Sequence, residues 1–559
     1  SLEASGNAFD TLAVKTTDDA ISIREDSGYS VGSVDGVSGI QVGSAKATLT
    51  SSGTVTQTQP IDAATLVLQG KGGQWTLTGA NTIGTLSADT GRLSVADAAG
   101  ITLGKIVASA ASGTAVTIAA PSGITLTDAI STLGGDVLFE NAVTLTGDVV
   151  LTTTSVSDAG SVRFKSTVDG TTSGEESLSV VGNVVTLASV GATTALESLS
   201  VSGTSDLAGG TTVRTVGNQT YTGSVTSAGS VTVRAGSGSG VKFLGDATLG
   251  GLMTTAESYD VSLTGSKVTI TDAVTFLNTG VVTLGDGADD VLTFNGGLTS
   301  TSASVTKLGG TIGTSDDAVT LGKTSLLAST TVSSGTAGTT FTGTVDGGQS
   351  LAVNTTGTAT FGGAVGGTTA LASLTTNKGG TTAINGGSVK TTGADGQVYS
   401  DAVTLGANTV LDAAGGAITF SSTLDGGYRL DANTTGATTF GGAVGSKTAL
   451  THLETNAGGT TAINGGSVTT SSSDSQVYND AVTLGANTVL DAGNGGITFA
   501  TTLDGAFTFD ANTTGTTTFG GAVGGATALV SLATNKGGTT AINGGSVKTS
   551  GSDGQVYGD

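Results

Sequence analysis

Histidine is the side chain most often used for proton transfer or metal ligation near neutral pH, and this 559-residue sequence contains one, His452. It lies in the stretch TALTHLET, and the equivalent positions of the neighbouring sequence repeats are Ser373 and Ser531. Cysteine is absent. A Ser-His-Asp arrangement or a histidine-based metal site therefore has no other histidine to draw on, and a cysteine nucleophile is excluded. We expect no catalytic role for His452.

Adjacent carboxylates are the next candidates for acid–base chemistry. Examples are the pairs Asp18-Asp19, Glu175-Glu176, Asp289-Asp290 and Asp316-Asp317. Glycoside hydrolysis needs two carboxyl groups about 5–9 Å apart across one groove. Neighbouring residues on a strand point to opposite faces, so these pairs should not converge in that way. The sequence therefore predicts that the protein is not an enzyme.

A calcium site is the third candidate, in the segment LGDGADDVLTFNGG from Leu284 to Gly297. The segment resembles one calcium-binding nonapeptide turn of toxin-type repeats, in which glycine-rich corners let carboxylates and backbone carbonyls surround the ion. The predicted ligands are Asp286, Asp289 and Asp290. That architecture shares each ion between successive turns, whereas one copy is present here. A solvated acidic corner is the alternative interpretation.

The composition predicts an all-β chain with a thin aliphatic core. Glycine supplies 93 residues, proline two and the aromatic residues 4%, while Thr and Val recur in short runs broken by Gly, Asn, Asp and Ser. The mean hydropathy is +0.21, so the chain has apolar side chains to bury. A core this thin suits stacked layers, each resting on the next, better than a sphere.

Charge and hydropathy exclude two classes of partner. The net charge is −23, from 43 acidic and 20 basic residues, and no basic stripe exists that could neutralise nucleic-acid phosphates. No stretch of about 18 apolar residues occurs, so no transmembrane segment is predicted. The absence of cysteine is typical of giant secreted bacterial proteins and favours an extracellular location.

Internal repetition defines the architecture. Phe361, Phe440 and Phe519 occupy equivalent positions, and each lies 79 residues after the one before. The sequence divides accordingly into diverged solenoid turns over 1–315, a degenerate copy over 316–360, and three copies over 361–439, 440–518 and 519–559, the last of them truncated.

A shorter period lies within each copy. Phe341 and Phe361 are 20 residues apart, as are Phe420 and Phe440. About 20 residues make three short strands with corners, which is one turn of a parallel β-solenoid, so a 79-residue copy predicts four turns. Phe420 should then stack directly on Phe440. The motif Asn-Gly-Gly predicts tight corners with positive φ at 385–387, 464–466 and 543–545.

The motifs FGGAVG, INGGSV, QVYxDAVTLGANTVLD and LTGANTIGTL resemble the filamentous haemagglutinin-type repeats of giant bacterial surface proteins, which include two-partner-secreted adhesins and autotransporter passengers. The resemblance is strong over 316–559 and diffuse over 1–315. It implies a right-handed parallel β-helix, export across a Gram-negative envelope to the cell surface, and a role in adhesion, aggregation or matrix formation.

The expected function is a non-enzymatic structural or adhesive shaft that needs no cofactor. Its partners would be other copies of the chain in a fibre or sheath, or a host or neighbouring cell surface or polysaccharide. The alternative is a carbohydrate-active β-helix enzyme, a lyase or glycosidase, with a groove in the diverged half. That alternative predicts acids and Arg or Lys clustered at one level of the solenoid, and the sequence shows no such cluster.

Overall fold

The computed structural model describes residues 1–154, 159–473 and 475–559. These residues form strands and turns without a helix, and parallel coils of about 21 residues stack into a β-solenoid. The predicted all-β fold and the coil of about 20 residues are confirmed. Within the described part of the chain, no helix is long and apolar enough to cross a membrane.

The chain divides into two compact units, of which the first comprises Ser1–Asp272 and Leu277–Gly280. Its strands are Thr11–Leu12, Val14–Lys15, Ile21–Arg24, Gly28–Val31, Ser33–Val34, Val37–Ser38, Ile40–Thr50, Thr54–Gln57, Ile61–Gln69, Gln74–Thr90, Arg92–Asp97, Ile101–Ala108, Thr114–Ala119, Ile124–Leu126, Ile130–Thr132, Asp136–Phe139, Val143–Leu145, Val149–Thr152, Val162–Phe164, Val168–Gly170, Leu178–Leu187, Leu199–Leu207, Thr212–Arg214, Gln219–Tyr221, Val225–Arg234, Gly240–Phe243, Ala247–Thr254, Asp260–Leu263 and Lys267–Ile270.

Columns of apolar side chains fill the interior of the first unit. Phe139 and Phe164 are register partners on parallel strands, and their ring centroids lie 4.9 Å apart. Tyr221 and Phe243 repeat this arrangement at 5.0 Å. Because every second residue of a strand points inward, a short strand adds two such side chains to the core and leaves the polar residue between them outside.

The second unit comprises Ala273–Phe276 and Val281–Asp559. Its coils have three sides, and each side contributes to one column of parallel strands. We name these columns faces A, B and C. Face A contains Val274–Thr275, Leu298–Ser300, Val319–Leu321, Thr339–Phe341, Thr358–Phe361, Thr381–Ile384, Ala402–Leu405, Leu424–Asp425, Ser467–Thr469, Thr488–Gly493, Thr508–Thr513, Ser531–Thr534 and Gln555–Tyr557.

Faces B and C complete each coil of the second unit. Face B contains Val281–Leu284, Val345–Asp346, Ser388–Lys390, Thr409–Asp412, Arg429–Asn433, His452–Thr455, Gln476–Tyr478, Ile497–Phe499, Thr516–Phe519 and Thr539–Ile542. Face C contains Val291–Phe294, Leu351–Thr355, Leu374–Thr376, Gln397–Tyr399, Ile418–Phe420, Ala437–Phe440, Thr460–Ile463, Ala481–Leu484 and Leu503–Asp504. The longer strands Val305–Gly313 and Thr324–Gly335 turn the corner from face B to face C.

Aromatic stacking in the second unit follows the prediction. Phe420 is the register partner of Phe440, and their rings are parallel within 3° at a centroid distance of 5.7 Å. Tyr399 extends the same column at 5.3 Å from Phe420. All three side chains are fully buried. The column therefore combines aromatic stacking with burial of large apolar area.

The strand register places equivalent residues of successive copies on different faces. Phe361 lies on face A, Phe440 on face C and Phe519 on face B. From Phe361 the chain advances by eleven sides of the coil to reach Phe440, and by eleven more to reach Phe519. Since a turn has three sides, a 79-residue copy makes three and two-thirds turns. The prediction of four turns is wrong.

The coil is not of constant length, which explains the difference. Phe361 is paired with Ile384, 23 residues on, and Phe440 with Ile463 at the same interval. The longer step includes a loop after Val365, in which the backbone amides of two residues are held by the Asp346 carboxylate of the preceding coil. Each copy is consequently turned by one face relative to its neighbour.

The Asn-Gly-Gly corners follow the prediction at their second glycine. Gly387 has a φ of 68°, and the equivalent glycines of the next two copies both have a φ of 74°. The first glycine serves a different purpose, because a Cβ at Gly386 would lie 2.0 Å from the carbonyl oxygen of Gly363. One glycine permits the left-handed backbone and the other permits close approach of two coils.

The motif Gln-Val-Tyr buries a polar side chain with its hydrogen bonds satisfied. Gln397 Nε2 donates to the carbonyl oxygens of Val389 and Asp412, at 3.1 and 3.0 Å. Its Oε1 accepts the hydroxyl of Tyr399 at 3.0 Å. Burial raises the pKa of this tyrosine well above its usual range. The motif thus ties adjacent sides of the coil together inside the core.

Candidate functional site

Many carboxylates of the second unit fasten the loop of the next coil. Asp425 Oδ1 accepts the amides of Lys447 and Thr448, at 2.7 and 3.2 Å. Asp504 Oδ1 holds the equivalent loop of the following copy at 2.8 and 3.0 Å. Charge-assisted bonds of this kind satisfy backbone donors that the loop leaves unpaired. Part of the acidity of the chain is therefore structural.

Two further aspartates of the second unit are buried and accept an amide of the preceding coil. Asp401 and Asp480 each accept one backbone amide at 2.8 Å, from Gly380 and Gly459. Their Oδ2 atoms have no hydrogen-bond partner among the described residues. Burial raises the pKa of both carboxyl groups, and the glycine amides offset this in part.

Replacing Asp480 by asparagine should flatten the pH dependence of stability. A carboxyl group whose pKa is raised by folding stabilises the fold fully below its ordinary pKa of 3.8 and loses that contribution as the pH rises through the folded pKa. Asp480→Asn cannot ionise, so it should gain stability relative to the parent between about pH 4 and pH 7. The denaturant midpoints of the parent and variant chains at the two pH values measure this gain. Asp395→Asn, at an exposed position, is the control. A gain of equal size in the control would refute the raised pKa of Asp480.

The predicted calcium ligands do not share one orientation. Asp290 is buried, and its Oδ2 accepts the backbone amides of Asp286 and Gly287 at 2.9 and 2.8 Å. The side chains of Asp286 and Asp289 are exposed. One oxygen of Asp290 is therefore engaged in closing its own turn. Calcium binding by these three residues stays a prediction.

The four adjacent acidic pairs lie in turns and bends rather than on strands, and in two of them one carboxylate is buried while the other is exposed. Glu176 is buried, and its carboxylate accepts the amides of Thr171 and Thr172, whereas Glu175 is exposed. Asp289 and Asp290 show the same contrast. These two pairs do not present two carboxylates to one groove.

A compact ionic cluster surrounds the single histidine on face B. Strand Arg429–Asn433 pairs with strand His452–Thr455, with Arg429 opposite His452 and Asp431 opposite Glu454. Among the described residues, Asp431, His452 and Glu454 form the group of possible metal ligands whose donor atoms all lie within 4.8 Å of one another. We call these three residues and Arg429 the face B cluster.

The guanidinium of Arg429 bridges the two carboxylates of the face B cluster. Its Nε lies 2.6 Å from Asp431 Oδ1, and an Nη lies 3.0 Å from Glu454 Oε2. His452 Nε2 lies 3.5 Å from the same glutamate oxygen. His452 is 7% exposed, and its Nδ1 has no hydrogen-bond partner among the described residues.

The other copies do not contain the face B cluster. The equivalents of Arg429, Asp431, His452 and Glu454 are Ser350, Ala352, Ser373 and Thr375 in one copy and Thr508, Asp510, Ser531 and Ala533 in the other. The histidine position taken alone indicates only a variable position, because the other two copies have serine there. The sequence does contain a signal for the cluster. All four of its positions carry ionisable residues in the same copy, and the strand register brings these positions together.

Comparison with known proteins yields no relative. The sequence matches no family profile and no curated protein, and the structure matches no solved structure. The parallel β-solenoid built from repeats is established by the structure, and the resemblance to haemagglutinin-type repeats remains an expectation.

Proposed function

We propose that the chain is a non-enzymatic shaft of a bacterial surface protein, located outside the cell, that acts in adhesion, cell–cell contact or fibre formation. The observation that carries this proposal is the rotation of successive copies. Because each 79-residue copy is turned by one face, the same surface motifs point in three directions within the second unit.

This arrangement favours many equal contacts over one specialised groove. A weak contact made by one copy recurs in the next, and several such contacts raise the overall affinity without any strong individual site. Coil-to-coil hydrogen bonds and stacked core columns resist separation along the stack. A catalytic groove needs an available acid and base at one level, whereas both carboxylates of the face B cluster are bound to the guanidinium of Arg429.

The structural use of the carboxylates supports a non-catalytic role. Asp425 and Asp504 hold backbone amides of the following coil, and Asp401 and Asp480 fasten glycine turns. The oxygens of Asp425 and Asp504 that each accept two backbone amides are poorly placed for transferring protons to a substrate.

Beads coated with the purified chain test the proposal. We expect the beads to adhere to bacterial cells or to a polysaccharide-coated surface, and adhesion to rise steeply with the density of chain on the bead. Beads coated with an unrelated protein of similar net charge are the control. In parallel, the soluble chain should release no new reducing ends and no unsaturated products from a panel of acidic and neutral polysaccharides.

Two results would contradict the proposal. Adhesion no stronger than that of the charge-matched control would remove the adhesive role. Release of products at a rate proportional to chain concentration would favour the carbohydrate-active enzyme instead, above all if a carboxylate-to-amide substitution abolished it.

A further inference from the structure

We propose that the face B cluster binds a divalent transition-metal ion of the zinc class through Asp431, His452 and Glu454. The three side chains come from two adjacent parallel strands, and their donor atoms lie within 4.8 Å of one another. Ligands of such an ion lie about 2.0–2.2 Å from it. Small side-chain movements therefore suffice to bring the three donors around one ion.

The kind of ion follows from the donors. One imidazole and two carboxylates suit zinc, nickel, cobalt or manganese, whereas calcium prefers a shell of oxygen atoms alone. The side chains of Asp431 and Glu454 are 20% and 36% exposed, so water can reach an ion held between them. The site is therefore an open one, able to hold water or a donor atom of a further ligand.

The histidine itself points to a missing partner. It is 7% exposed, which is unusual for a side chain with two polar ring nitrogens, and its Nδ1 has no partner among the described residues. The 3.5 Å separation between Nε2 and Glu454 Oε2 is long for a hydrogen bond. Nε2, the ring nitrogen that lies beside Glu454, therefore has no short protein partner, and a metal bond at this nitrogen would satisfy it.

Arg429 is the resident cation that an added ion must compete with. Its guanidinium contacts both carboxylates, including the glutamate oxygen nearest His452. The side chain of Arg429 is 43% exposed, so it can swing toward solvent. Removal of this positive charge should strengthen metal binding, because two carboxylates would then lack a counter-ion.

The fold does not require the cluster. The equivalent coils of the neighbouring copies carry serine at both the arginine and histidine positions, or threonine and serine. These natural replacements identify substitutions that the coil tolerates. Loss of metal binding in such a variant therefore reports on the site rather than on unfolding.

Zinc chloride titrated into the full chain tests the site. We expect saturable binding of one ion per chain by calorimetry, together with a shift of the imidazole proton resonances, which are unambiguous because the chain has a single histidine. His452→Ser should weaken binding at least about tenfold. Circular dichroism and the thermal midpoint should match those of the parent chain.

Two further variants make the test specific. Arg429→Ser should tighten zinc binding, whereas Ser373→His, which adds a histidine to a copy without the two carboxylates, should create no second site. Absence of saturable binding, binding that survives His452→Ser, or weaker binding in Arg429→Ser would overturn the proposal. A second ion bound by Ser373→His would likewise overturn the role given to the carboxylates.

Discussion

Phe420→Ala should lower the free energy of unfolding of the second unit by about 3–5 kcal/mol. The side chain is fully buried between Tyr399 and Phe440, at ring-centroid distances of 5.3 and 5.7 Å. Its removal leaves a cavity between two large rings that are fixed by strands above and below. The surrounding coils cannot collapse into that space without breaking their hydrogen-bonded register.

Denaturant unfolding followed by tyrosine fluorescence and circular dichroism measures this effect. Tyr428→Ala is the matched control, since it removes an aromatic ring that is 40% exposed. The control should change stability by about 0.5 kcal/mol or less. A loss below about 1 kcal/mol for Phe420→Ala would mean that its ring is not packed within the column.

Gly386→Ala should destabilise the second unit by about 3 kcal/mol, although it adds a single methyl group. The added Cβ would lie 2.0 Å from the carbonyl oxygen of Gly363 and 2.1 Å from its carbonyl carbon. These are backbone atoms, so the contact can be relieved only by separating two coils. Separation weakens the strand pairing on either side of the corner.

Gly348→Ala is the control for this substitution, because nothing lies within 4 Å of its Cβ position. Thermal unfolding of the two variants should differ clearly, with Gly348→Ala close to the parent chain. Equal midpoints would contradict the close approach of Gly386 to Gly363.

The fold was predictable to the extent that local pattern determines it. Alternating apolar residues predicted the strands. The 20-residue spacing of Phe420 and Phe440 predicted that their rings stack, and the two residues are register partners in the structure. The number of turns per copy was not predictable in this way. It depends on the 23-residue step from Phe440 to Ile463, where the spacing of aromatic residues offers no marker.

The candidate site was harder to predict because its members are far apart in the sequence. Arg429 and His452 become neighbours through strand register, and that register includes the irregular coil length. The structural role of the acids was also hidden from the sequence. Asp290 and Asp425 accept hydrogen bonds from backbone amides, and in Asp425 these amides belong to the following coil.

Rotation of the copies links the fold to the proposed function. A repeat of exactly whole turns would align one surface along one side of the stack, which suits a flat partner. A repeat of three and two-thirds turns distributes that surface over three faces and returns to the first face after three copies. Contacts with cells, polysaccharides or further chains can then form from any direction around the second unit.

Spin labels at Thr439 and Ala462 test the register most directly. The chain has no cysteine, so a spin label will attach only to the two Cys residues introduced at these outward positions. The two residues are register partners, and adjacent parallel strands lie about 4.8 Å apart. We predict strong dipolar broadening of the continuous-wave resonance spectrum. A constant coil of about 20 residues would instead pair Thr439 with Gly459. Broadening for a label pair at Thr439 and Gly459, together with no broadening for the pair at Thr439 and Ala462, would contradict the three-and-two-thirds-turn repeat.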